Sequence, residues 1–83
     1  MRDEVRYPQV IPMVQAVLDT LRAGIAAEEA AASELAALAD TMRDAQPETA
    51  AAILTTSRNH AIKALALRGR RAALLAGYGL ESM

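Results

Sequence analysis

From Val14 onward, apolar residues recur at alternating spacings of four and three: Val14, Leu18, Leu21, Ile25, then Ala32, Leu35, Ala39 and Met42. That alternation is the signature of a helix carrying a seam of the coiled-coil kind. Position 28 belongs to the series but holds Glu, a polar mark inside the stripe. Pro12 suits the first turn, because the N–H it lacks has no helical partner there. The pattern predicts a helix over about residues 12–44. Gly24 falls inside it and reads as a tolerated glycine, with a kink or a close helix contact as the alternatives.

Pro47 cannot continue that helix but can begin another, with Glu48 in its first turn. The turn falls at residues 45–47 and the second helix at about residues 47–76, closed by Gly77 and Gly79 with Leu80 placed for a C-terminal contact. So short a connection makes the two rods antiparallel neighbours. Residues 1–11 read as an extended arm, because Tyr7-Pro8 and Ile11-Pro12 favour extended backbone. Residues 77–83 read as a tail. The expected fold is all-α, a long antiparallel helical hairpin.

The second helix has two apolar lines. At 3.6 residues per turn, Leu54, Ala61, Leu65 and Ala72 fall together, with Ile62 extending them. Ile53, Leu67, Leu74 and Tyr78 fall on another line, with His60 beside it. An arc that wide exceeds what one neighbour covers. The expectation is that one line meets the first helix and the other meets a second copy or a different protein, completing a helical bundle by oligomerisation.

Composition sharpens this picture. Alanine dominates the 83 residues, and Phe, Trp and Cys are absent. Alanine is the best helix former but buries little area, so the core is thin. Without cysteine there is neither disulfide nor thiolate metal site. The net charge of −1 excludes a global field for nucleic acid. Sign is nonetheless segregated: residues 51–83 hold Arg58, Lys63, Arg68, Arg70 and Arg71 against Glu81 alone. In a hairpin whose facing positions sum to about 91 or 92, Glu34 comes level with Arg58, Glu28 with Lys63, and Asp19 with Arg71 or Ala72. Internal charge complementarity is therefore the first reading of the basic stretch 57–71. A DNA-associated regulator using those five basic residues is a weaker one, since no aromatic side chains interleave them and no one-sided stripe forms.

No catalytic or metal constellation is visible. His60 has no acid three or four residues away on its own helix, and Glu28 and Glu29 diverge by about 100° on theirs. "GYGL" lacks the lysine and Ser/Thr of a phosphate loop. The uncharged runs are too short to span a bilayer. The chain reads as soluble, cytoplasmic and non-enzymatic, with no cofactor.

The segment "RNHAIKALALRGRRAA", Arg58 to Ala73, resembles the C-terminal helix of FlgN-type flagellar export chaperones, in which Arg-Asn precedes aliphatic and small positions. The acidic, Ala/Leu-rich "AAEEAAASELAALADTMRD" resembles the helix before it. The resemblance implies a cytoplasmic chaperone, independent of ATP, that holds the amphipathic C-terminal segment of an export client. It would place contacts at Asn59, Ile62, Leu65, Ala66, Gly69 and Ala73. The helical angles point instead to Leu67 and Leu74, flanked by Ile53 and Tyr78. The pooled candidate partner surface is Ile53, Asn59, Ile62, Leu65, Leu67, Gly69, Leu74 and Tyr78, contacting a protein partner or a second copy. The alternative function is a self-assembling structural or dimerisation module.

Overall fold

The computed structural model describes residues 10–79. Two helices fill almost all of that span: α1, Val10–Met42, and α2, Pro47–Gly77. They pack against each other along their length as an all-α hairpin. At 1.5 Å per residue each rod is about 45–50 Å long.

The helix ends follow from local chemistry. Val10 and Ile11 are helical rather than part of an extended arm, because Pro12 within the first turn disturbs no intrahelical hydrogen bond. The remainder of the expected arm lies outside the described residues. α1 stops at Met42, two residues earlier than expected, and residues 43–45 form the turn. The Gln46 N–H donates to the Met42 carbonyl at 2.8 Å, and the Ala50 N–H to the Gln46 carbonyl at 2.9 Å. Gln46 takes φ −139° and ψ 71°, outside the helical region that a following proline disfavours. Pro47 and Glu48 then open α2, the acid beside the positive end of the helix dipole.

At the other end Gly77 is the last helical residue. Gly79 takes φ +67°, and its N–H donates to the Ala76 carbonyl at 3.2 Å. That is the left-handed position after a helix that glycine occupies most easily. The contact expected from Leu80, and the rest of the tail, lie outside the described residues.

The seam of α1 is where its spacing placed it. Val14, Leu18 and Ala39 are buried, and Leu21, Ile25, Glu28, Ala32, Leu35 and Met42 are half-buried. α2 meets it with Ala50, Ser57, Ala64 and Leu75 buried, and with Ile53, His60, Leu67, Arg71 and Leu74 half-buried. Val14, Leu18 and Leu75 form the tightest cluster, with Leu74 packed on it. No described side chain falls below 2% exposure, so the core is a single thin layer. Gly24 is more than tolerated. A Cβ there would lie 3.2 Å from Leu67 Cδ1, so the glycine admits a close approach of α2.

Candidate helix-docking groove

The line of α2 that meets α1 is set by polar groups. The Ser57 hydroxyl, buried at 6% exposure, donates to the Ala32 carbonyl at 2.6 Å. His60 Nδ1 donates to Glu28 Oε1 at 2.5 Å, across the seam and partly buried. These two bonds join the helices at neighbouring levels. A slip by one turn would strand a buried hydroxyl and a half-buried carboxylate, which costs more than either bond gains. Glu28 is thus the polar register mark inside the stripe. Among the described residues, no buried side-chain nitrogen or oxygen lacks a partner.

The remaining ion pairs differ from those expected. Arg68 pairs with Glu29, and Arg43 with Asp40 at the turn. The pairs Glu34–Arg58, Glu28–Lys63 and Asp19–Arg71 do not form. The level arithmetic gave the right height and ignored azimuth. Glu34, Arg58 and Asp19 are all exposed. Glu28 and Lys63 border one groove, but the carboxylate goes to His60. The 100° between Glu28 and Glu29 sends one to His60 and the other to Arg68, on opposite sides of the seam.

The basic stretch is likewise divided. Lys63 and Arg70 border a groove with Glu28 on one face. Arg68 and Arg71 open onto the other, beside Arg22 of α1. No single stripe of positive charge exists to follow a phosphate backbone.

The hairpin consequently has two unlike faces. One, called here the Arg22 face, carries three depressions in series. Near the turn, Ala36, Ala39, Ala50, Ala51 and Leu54 line the first. In the middle, Glu29, Ala32, Ser33, Ala61, Ala64 and Leu65 line the second, which holds about 580 Å³. Toward the open end, Arg22, Ile25, Arg71, Ala72 and Leu75 line the third, of about 310 Å³. Arg68 borders both the second and the third. The floor is mostly alanine, so another helix could approach closely. The opposite face has an apolar hollow at the open end, between Met13, Val17, Leu74 and Tyr78.

The candidate partner surface is divided by this geometry. Ile53, Leu67 and Leu74 are half-buried between the helices, and Leu67 rests over Gly24. Leu67 and Leu74 pack toward α1, on the side of α2 whose Ser57 and His60 bond to it, and Leu74 also lines the open-end hollow. Ile62 and Leu65 project outward at 61% and 67% exposure. Tyr78 is exposed beside the open-end hollow, and Asn59 and Gly69 are exposed with open space above Gly69. Leu54 is half-buried at the edge of the Arg22 face.

Sequence reasoning passed over Ser57 and Arg22. A serine at seam spacing between Ala50 and Ala64 was the available signal for the first. Nothing in the spacing of Arg22 linked it to Arg71, forty-nine positions away. The exposed Met13 and Val17 were hidden by their nearness to the α1 stripe.

Among the described residues, no group of three His, Asp or Glu side chains is placed to hold a metal ion. No helix among them is long and apolar enough to cross a membrane. No family model matches this chain, and no curated protein or solved structure shows significant similarity to it.

Proposed function

We propose that this protein is a non-enzymatic helical module that receives an amphipathic helix of a protein partner along its Arg22 face. The observation that carries the reading is Leu65. It stands 67% exposed beside an alanine-floored groove that runs between the helices, and Ile62 is exposed one turn away. An apolar helix face laid in such a groove is a recurrent mode of recognition. The only histidine is engaged with Glu28 inside the seam, which favours binding over proton transfer. The resemblance of Arg58 to Ala73 to FlgN-type chaperones supports a cytoplasmic chaperone or adaptor for flagellar export clients, and Asn59, Ile62, Leu65 and Gly69 of that match all face solvent.

Self-assembly is the second reading, favoured by the thin core with no fully enclosed side chain among the described residues. A small domain of that kind often completes its core with a copy of itself. A DNA-associated role has less behind it, because the basic residues divide between two faces.

One variant addresses both leading readings. Ile62→Glu with Leu65→Glu should leave helicity unchanged, since both side chains already meet water. It should abolish binding of a fluorescent amphipathic helix, or dissociate a dimer seen by sedimentation across a concentration range. Unaltered peptide binding and unaltered association in this variant would remove the Arg22 face from consideration.

A further inference from the structure

On the face opposite Arg22, one line from each helix forms a continuous floor. Val17, Gly24, Ala31 and Leu38 stand seven residues apart on α1, and Ile53, His60, Leu67 and Leu74 stand seven apart on α2. A spacing of seven keeps each set on one line of a packed helix. The two lines adjoin: Val17 and Leu74 share the open-end hollow, and Leu67 rests over Gly24. Val17 and Leu38 remain 49% and 47% exposed, with Met13 at 66% and Tyr78 at 47% on the rim of the hollow. Lys63 and Arg70 border the same face, in the groove that holds Glu28.

We propose that this face is covered by the same face of a second copy, related by a two-fold axis parallel to the rods. Such an axis leaves each residue at its height and lays α1 of one copy over α2 of the other. Residues that already share a height within the hairpin then meet between copies. Met13 comes to Tyr78, Val17 to Leu74, and Glu28 to Lys63 and Arg70. Symmetry sets this register, so no offset has to be assumed. The other two-fold axis, across the rods, lays like helix on like. α1 carries five acids and one base, and α2 five bases and one acid, so charge opposes that arrangement. The Arg22 face does not match itself in the same way. Arg22, Arg68 and Arg71 share one cavity there, and the parallel axis would set that cluster against its copy. From Met13 to Leu38 the opposite face runs about 38 Å, and at two helix diameters it offers roughly 700 Å² per copy, near the size of a standard specific interface. Covering it gives the thin core a second layer. The inference goes beyond the groove reading and leaves it intact: both Arg22 faces point outward, so the dimer presents two docking grooves.

Sedimentation of the full chain across about 1–200 µM should show a dimer that dissociates on dilution. Met13→Glu with Leu38→Glu should be monomeric throughout and keep its helicity, because both side chains meet water in the single hairpin. Ile62→Glu with Leu65→Glu should stay dimeric while losing the fluorescent amphipathic helix. Because the chain has no cysteine, the arrangement can be read by oxidising a mixture of a Met13→Cys chain and a Tyr78→Cys chain. The mixed disulfide should exceed either symmetric one by roughly tenfold, since the sulfurs come within bonding reach only in that pairing. This readout stands even where the glutamate pair fails to fold. A monomer at every concentration overturns the inference and leaves the face to a different protein. A dimer that survives Met13→Glu with Leu38→Glu overturns it as well. So does a dimer lost with Ile62→Glu and Leu65→Glu, which puts self-assembly on the Arg22 face. Equal yields of the three disulfides discard the parallel axis. Retained helix binding in an intact Ile62→Glu, Leu65→Glu dimer sinks the groove reading alone.

Discussion

Gly24 and Gly69 are interior helical glycines with opposite surroundings, and together they measure the helix–helix approach. Glycine in a helix interior costs about 1 kcal/mol relative to alanine. At Gly69 an added Cβ meets nothing within 4 Å. Gly69→Ala should therefore collect the whole propensity gain, about 0.5–1 kcal/mol. For a domain of this size that raises Tm by roughly 4–8 °C per kcal/mol. At Gly24 the same Cβ would stand 3.2 Å from Leu67 Cδ1. The leucine tip must retreat by a few tenths of an ångström, or twist from its rotamer at about 0.5–1.5 kcal/mol. The gain and the cost nearly cancel, so Gly24→Ala should change stability by less than about 0.5 kcal/mol. The assay is thermal and urea unfolding followed by circular dichroism, with both variants compared at two protein concentrations. A Gly24→Ala variant as stabilised as Gly69→Ala would show that no close approach exists at Leu67. If Gly69→Ala destabilised the protein more at high concentration, a copy would be packing on the surface described here as open.

Further expectations concern the seam. Leu18, 3% exposed against Val14 and Leu75, should cost about 2–5 kcal/mol on truncation to alanine. For a chain with a total stability of about 4–12 kcal/mol, that is a large share of the whole, and urea unfolding should find the Leu18→Ala midpoint well below the parent's. A loss below about 1 kcal/mol would place Leu18 outside the core. Glu28→Leu with His60→Leu restores an apolar seam. It should equal or exceed the parent in stability while losing specificity of register, read as broadened amide resonances or mixed association states. A uniquely folded, unchanged hairpin would show that the polar pair does not select the register.

The helices, their turn and the α1 seam were legible in the residues themselves. Alternating spacings of three and four need one neighbour to satisfy them, and Pro47 leaves one place for the chain to reverse. These are local constraints, each acting within a few turns, so they survive without knowledge of the partner helix. The choice between the two apolar lines of α2 was not legible. Leu54, Leu65 and Ile62 are at least as apolar as Ile53, Leu67 and Leu74, and a count of hydrophobic positions cannot separate them. Tertiary structure decided it through groups that a hydrophobic pattern scores as defects. Ser57 reaches the Ala32 carbonyl and His60 reaches Glu28, while Gly24 makes room for Leu67. Pairing across the seam requires height and azimuth to agree, and sequence spacing supplies the first without the second. The same two-helix geometry unites Arg22 with Arg71, because only the folded hairpin brings residues so distant in the chain to one cavity.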